Sequence, residues 1–342
     1  MQPDIMVSEI CMRAMILYRH NSIEKDPLVL SEIETPTIGE DDVLIKVSKC
    51  GVCRTDLHIV EGELKPPGLP IVPGHQVVGT VVDAGKNVSG VAVGERVGVP
   101  WLYYACGRCK YCTRGLENLC LNALFTGYNV NGGYAEYIVA KADFVHKIPE
   151  SIDDLHAAPL LCAGAIGYRA LRLSGVGEKD LLGLFGYGSS AHLVLQIAVK
   201  MGIKVYVYTS SPWKVEHAIK HGAEWAGLPS EAPPVELDAA IVFAPASTVF
   251  IEALKRLRGG GRVVLAEIYM TPIEHLDYSL LWREREVKTV ANVTRKDVRE
   301  VLELAFTLGV KPDVTVFELS RANDALKVLK RGHLGQIVLD IT

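Results

Sequence analysis

The chain has 342 residues, 49% of them hydrophobic and 22% charged, a globular balance with room for two ordinary domains that excludes disorder over most of its length. A formal charge of -4 and a pI near 6.2, with no lysine or arginine run, give no basic field for nucleic acid and exclude it as a partner. No apolar run reaches the ~18 residues of a membrane span, and Pro3, Asp4 and Glu9 stand where a signal peptide would need an apolar stretch, so we expect no membrane partner and a cytoplasmic location.

From about Met12 to Asp143, the segments AMILY, VLIKVSKC, VVGTVVDAG, GERVGVP and YAEYIVA alternate with Gly, Pro, Asn and Asp, which predicts short strands joined by turns. Two candidate metal ligands lie here, Cys53 in GVCRTDLH and His75 in PGHQVVG. The run ACGRCKYCTRGLENLC follows, with Cys106, Cys109, Cys112 and Cys120 in a C-x2-C-x2-C-x7-C array. Four thiolates this close enclose one tetrahedral zinc and leave no open position. Iron and disulfides are the alternatives, and a reducing compartment argues against disulfides. The stretch from Ser151 to Leu173 is expected to cross between domains and carries Cys162 in PLLCAGAIGY. Cys53, His75 and Cys162 would make a second zinc site whose fourth position stays open for water, an alcohol or a carbonyl oxygen. Taken singly, each of the three also reads as an ordinary buried residue. Cys11 and Cys50 remain unassigned.

From about Lys179 the pattern changes to continuous apolar strands alternating with helices, as a parallel sheet covered on both faces requires. We expect strands at 180–185, 203–209, 237–243, 262–267 and 287–292, and helices near 189–202, 212–221, 247–258 and 294–308. In DLLGLFGYGSSAH a glycine-rich turn joins strand to helix, where backbone N–H groups receive a pyrophosphate. Gly183 and Gly188 take the outer positions of an imperfect G-x-G-x-x-G, Phe185 the middle one, and Gly186, Tyr187 and Ser189 complete the candidate contacts. A tight strand-to-helix corner is the alternative reading. At the end of the second strand, where NAD enzymes carry an acidic residue, stand Thr209, Ser210 and Ser211, with Lys214 just beyond. Hydroxyls and a cation suit a 2′-phosphate, which favours NADP(H) over the alternative NAD(H); Ser211 ahead of Pro212 also reads as a helix N-cap. The tail, VTVFEL, ANDALKVLKRG and QIVLDI, is expected to pack back on the first region.

The segment Cys53 to His58, GHQVVG at Gly74 to Gly79, the four-cysteine lobe, PLLCAG, the glycine turn and GGGRVVLAE, in this order, resemble the zinc-dependent medium-chain alcohol dehydrogenases from Met12 onward. TSSPWK is similar to the NADP-dependent branch that includes cinnamyl alcohol dehydrogenases and aldehyde reductases. The resemblance implies an α/β protein with a GroES-like β-rich catalytic domain, residues 1–165 and 293–342 with a zinc lobe at about 100–121, and a Rossmann domain, 166–292, assembled as a homodimer or homotetramer. It implies two zinc ions per chain, the catalytic one on Cys53, His75 and Cys162, with Asp56 bonded to a ligand, Arg54 near the cofactor, and Thr55 passing a proton through the cofactor ribose towards His58. Zinc as Lewis acid, hydride transfer to or from nicotinamide, and a histidine titrating near neutrality account for that set chemically.

Three positions depart from the family pattern. Gln76 stands where a glutamate that transiently joins the zinc is usual, Ile166 replaces a threonine near the nicotinamide, and Phe185 is expected to crowd the turn. Trp101, with Leu102 and Tyr103, suggests an apolar or aromatic substrate wall, with plain core as the alternative. The expected function is oxidation or reduction of a small apolar or aromatic alcohol, aldehyde or ketone. The rivals are a polyol dehydrogenase of the same superfamily and a non-catalytic NADP(H)-binding zinc protein.

Overall fold

The computed structural model describes residues 11–342; Pro3, Asp4 and Glu9 lie outside the described residues. The chain divides into two compact units. One runs up to Cys162 and adds Val314–Gly332 and Gln336–Thr342; the other comprises Ala163–Asp313 and His333–Gly335.

The first unit is built on a seven-stranded sheet. Asp42–Val52 is its centre, paired antiparallel with Val77–Ala84, Tyr137–Lys141 and Gln336–Asp340. The C-terminal strand therefore hydrogen-bonds to one of the first, and parallel Val314–Glu318 extends the edge. The central strand is long, β-branched on its inner face and almost wholly buried, with Val43, Ile45 and Val47 in the core beside Val77, Val81, Ile138 and Leu339. Its last residues deliver Cys53 to the start of the helix Arg54–Glu61.

The second unit carries a six-stranded, all-parallel sheet in the order Trp225–Gly227, Lys204–Tyr208, Leu181–Phe185, Leu237–Val242, Leu257–Leu265, Glu286–Thr289. Chain order reverses beside Leu181–Phe185, the Rossmann arrangement whose switch point lies at the carboxyl ends of the first and fourth strands. The inner strands are apolar because helices cover them, with Leu182, Leu184, Ala240 and Val242 fully buried, whereas the edge strand Glu286–Thr289 is exposed.

Several details differ from the sequence reading: the edge strand Trp225–Gly227 lies outside the expected set, and the last strand is Glu286–Thr289, ending before 292. The fifth strand starts at Leu257, five residues before the expected 262, because Leu257 already pairs with Leu237 across an irregular register. The compact unit also continues past 292 to Asp313. The reason is Asp297, fully buried, which closes a capping box with Thr294 at the start of the helix Arg295–Leu308. Its carboxylate receives Nη1 of Arg169 and Nη1 of Arg172, each at 2.6 Å, from the helix Ala163–Ser174. Replacing Asp297 by Ala removes the acceptor on which two guanidinium groups and a helix cap converge, and we expect a loss of about 3 kcal/mol, read as an earlier midpoint in urea unfolding.

Candidate active site

The site grows from one carboxylate. Cys53 is the N-cap of the helix Arg54–Glu61, whose Leu57, Ile59 and Val60 are buried. Asp56, in its first turn, is fully buried and bends back so that Oδ2 accepts the Cys53 N–H at 2.8 Å. Oδ1 accepts Nδ1–H of His75 at 2.9 Å and the Gly74 N–H at 3.2 Å, and the buried Tyr134 hydroxyl donates to Oδ2 at 3.2 Å. Asp56 fixes a proton on His75 Nδ1, so Nε2 is the nitrogen left to bind a cation, which would replace the Nε2 proton. This nitrogen is buried and has no hydrogen-bond partner among the described residues.

Cys53 Sγ and Cys162 Sγ lie 4.0 Å apart, and they and a His75 nitrogen all fall within 4.8 Å of one another. Two sulfurs and one imidazole whose other nitrogen is fixed by a carboxylate make a donor set that fits a zinc with an open position. Burial lowers the His75 pKa, but the Asp56 carboxylate, aided by Cys53, outweighs it and holds the imidazole up at about 10. The Cys162 thiol lowers Cys53 well below the usual thiol range, while Cys53 and burial push Cys162 well above it. The pocket favours one negative sulfur before any cation is present.

Around this centre, Thr55 Oγ1 lies 3.7 Å from Cys53 Sγ. His58, one turn further, pairs through Nδ1 with Glu63 near the surface, and Arg54 is exposed. Gln76 is buried against Gly51, where an added Cβ would approach its side chain to 2.9 Å, and its Oε1 has no partner among the described residues. Trp101 meets the His75 ring edge-on at 4.8 Å and stacks on Phe125 at 5.2 Å, with Tyr128 at 5.9 Å. Trp101 is half-buried and belongs to the surroundings of His75. Tyr134, Phe125 and Tyr128 were not singled out from sequence, since each is an isolated aromatic with no diagnostic spacing.

The four-cysteine lobe is a separate, smaller cluster. Cys106, Cys109, Cys112 and Cys120 place their sulfurs within 4.8 Å of one another. The Cys109–Cys112 and Cys106–Cys120 sulfurs are 3.6 Å apart, non-bonded distances that leave all four as free thiols. The backbone N–H groups of Arg108 and Cys109 hold Cys106 down at about 6, while burial and the neighbouring sulfurs push Cys112 up to about 12. Four sulfurs this close ionise together only around a cation.

In the second unit the turn after Leu181–Phe185 holds Gly186 at φ +89°, and an added Cβ there would come within 3.1 Å of Ala244. Gly188 is the N-cap of the helix Ser189–Lys200. Gly183, read with the turn, lies inside the strand instead, where a Cβ would meet Leu237 at 2.5 Å; it is a packing glycine. Phe185 does not crowd the turn: it is fully buried and stacked on Tyr208 at 4.0 Å. The Tyr187 side chain is buried, with its hydroxyl 3.1 Å from His217 Nδ1, and the Ser189 hydroxyl donates to the Gly335 carbonyl at 2.8 Å. Thr209 and Ser210 follow the second strand, Ser211 is the N-cap of Pro212–Lys220 without a side-chain cap bond, and Lys214 Nζ lies 5.4 Å from the Trp213 ring. Ile166 sits, partly buried, in the first turn of Ala163–Ser174. Among the described residues, no helix is long and apolar enough to cross a membrane.

Residues 39–150 match the alcohol dehydrogenase GroES-like domain. The chain is 39% identical to "Probable alcohol dehydrogenase AdhA" of Mycobacterium tuberculosis, over 94% of this chain and 95% of that protein. It is 38% identical to an alcohol dehydrogenase of Geobacillus stearothermophilus, over 93% of this chain and 96% of that one. Among solved structures, a cinnamyl alcohol dehydrogenase of Sorghum bicolor superposes with a TM-score of 0.87 at 29% identity, covering 96% of this chain and 97% of that one.

Asp56→Asn keeps the size of the side chain but puts a donor among four donors. We expect zinc retention at the Cys53 site to weaken by about 10- to 100-fold, measured as metal content after dialysis against graded chelator.

Proposed function

We propose, from the premise that this chain belongs to the zinc-type medium-chain alcohol dehydrogenase family, that it is an NADP(H)-dependent enzyme interconverting small apolar or aromatic alcohols with their aldehydes or ketones. Its membership makes it an alcohol dehydrogenase; the cofactor and the substrate class are the finer reading. The observation that carries it is the buried His75 Nε2 without a partner, set between two sulfurs and beside an aromatic wall.

Two zinc ions per chain are proposed, one on Cys53, His75 and Cys162 and one in the four-cysteine lobe. When bound, the first supplies Lewis acidity to the substrate oxygen, and the dinucleotide accepts or supplies hydride. Asp56 keeps the His75 proton on Nδ1 and so commits Nε2 to the ion. The Thr55 hydroxyl would take the proton of an alcohol, and His58, which pairs with Glu63 near the surface, would receive it on the way to solvent. Trp101, Phe125 and Tyr128 bind the apolar part of the substrate and keep water from it. This wall argues against a polyol substrate, whose hydroxyls it leaves without partners.

For the cofactor, the start of Ser189–Lys200 would hold the pyrophosphate, and Gly186, with no Cβ, would let it approach. Thr209, Ser210, Ser211 and Lys214 supply hydroxyl donors and a cation for a 2′-phosphate. The homodimer or homotetramer implied by the resemblance belongs to the same proposal.

Zinc-loaded protein should oxidise NADPH in the presence of aromatic and aliphatic aldehydes, and Cys53→Ser should abolish turnover while NADPH binding, followed by fluorescence, persists. Retained turnover in Cys53→Ser would sink the zinc reading, and NADPH binding without turnover on any carbonyl would favour the non-catalytic one. Thr209→Asp places a carboxylate where the 2′-phosphate is proposed to lie. We expect kcat/KM for NADPH relative to NADH to fall by about tenfold or more, and an unchanged ratio would remove Thr209 from the cofactor site.

A further inference from the structure

The second unit contains a cluster that the proposed reaction does not use. His192 on the helix Ser189–Lys200, His217 and His221 at the end of Pro212–Lys220, and Asp313 bring one ligand atom each to within 4.8 Å of one another. His217 and His221 are four residues apart, the spacing that puts two side chains on one helical face and lets them share a metal.

Proton positions around the cluster are partly fixed. His221 Nδ1 lies 2.9 Å from the His217 carbonyl, which only accepts, so the proton is on Nδ1 and Nε2 carries a lone pair. That lone pair faces Asp313 Oδ2 at 3.9 Å, an acceptor opposite an acceptor. His217 Nε2 reaches the same oxygen at 2.8 Å, while its Nδ1 is held by the Tyr187 hydroxyl. His192 is fully buried; the Gln196 amide nitrogen and the Asp313 N–H approach its Nε2 at 3.0 and 3.3 Å, and its Nδ1 has no partner among the described residues.

Protons alone serve this arrangement badly. The His217 and His221 rings stack at 4.0 Å and both lie about 5 Å from His192, at 5.0 and 5.1 Å. Charging all three would set three imidazolium ions against a single carboxylate. One divalent cation would take the place of the proton between His217 Nε2 and Asp313, that proton moving to Nδ1 opposite the Tyr187 oxygen or to solvent, and would satisfy the His221 lone pair while the rings stay neutral.

We infer that His192, His217, His221 and Asp313 form a third metal site, for a divalent transition ion of borderline softness such as zinc or cobalt. Imidazoles with one carboxylate suit such ions, whereas magnesium and calcium take all-oxygen sets. Bonds of about 2.0–2.2 Å require donor atoms roughly 3–3.5 Å apart, so side-chain rotations of about an ångström complete the site. Asp313 is the exposed member, with 58% of its side chain accessible, and gives the ion its entry.

The test dialyses purified, zinc-containing protein against Co2+ and counts total metal per chain in the wild type, His221→Asn and His217→Gln. The wild type should hold one more equivalent than either variant, whatever number the cysteine sites retain, so failure of the zinc-enzyme reading does not obscure the result. The extra cobalt should absorb without sulfur-to-metal charge-transfer bands, and should raise the thermal midpoint of the wild type only. Affinity in the variants should fall by more than about tenfold. Equal metal content and equal thermal response in all three proteins would overturn the site. So would a difference in stability that follows pH but not Co2+, which would make the cluster a proton-binding one.

Discussion

The burial of the Asp56 carboxylate is the constraint from which the rest of the site follows. An ionised carboxylate removed from water is tolerated only when every acceptor direction is occupied. Here the donors come from Cys53, Gly74, His75 and Tyr134, four points contributed by the end of a strand, a loop and a distant turn. Each charge-assisted bond contributes about 1.5–3 kcal/mol, and losing any one leaves the charge less compensated. The same bonds set the direction of the His75 ring and the position of Cys53, so ligand geometry follows from the folding of the unit and does not wait for a metal. Asp297 solves the equivalent problem in the second unit, with two guanidinium groups and a helix cap as donors.

The two cysteine sets share one electrostatic device and use it differently. In the lobe, backbone N–H groups lower Cys106 while Cys112 is raised, so a closed set of four sulfurs is held short of full ionisation until a cation balances it. At Cys53 the lowering comes first from the partner thiol of Cys162 and then from the imidazole of His75, the third donor. The lobe is saturated by its own chain. The Cys53 set has only three donors, and it lies beside aromatic side chains that pack on His75.

Contiguous features were readable from sequence. The lobe lies in a single short run and the inner strands of the parallel sheet are apolar segments, so local pattern was enough for these, though not for the edge strands Trp225–Gly227 and Glu286–Thr289. Gly183 and Phe185 were misplaced because sequence does not separate a glycine needed for space from one needed for positive φ. Only the sheet shows that Leu237 fills the space over Gly183 and that Phe185 stacks beneath the turn on Tyr208. The end of the second unit was missed for a related reason. Asp297 reads as an ordinary first-turn acid, and its burial depends on Arg169 and Arg172 more than a hundred residues earlier. Tyr134, Phe125 and Tyr128 likewise enter the surroundings of the site through strand and loop placement, with no periodicity to announce them.

Charge accounting gives Gln76 a physical meaning. With zinc held as proposed, two thiolates and the Asp56 carboxylate face a doubly charged ion, leaving one net negative charge in a pocket walled by Trp101 and Tyr134. A glutamate at position 76, as the family resemblance implies, would raise that to two beside the same apolar surfaces, and burial would oppose it. The neutral amide removes this second charge while keeping an oxygen, Oε1, that finds no other partner among the described residues. Less negative charge around the ion leaves more of its positive field for the substrate oxygen, which strengthens the pull on an alkoxide or carbonyl. With zinc bound as proposed, the same change would make residue 76 a weaker alternative ligand. Gln76 would then trade easier ligand exchange for a more electrophilic centre, a bias that charge and burial set.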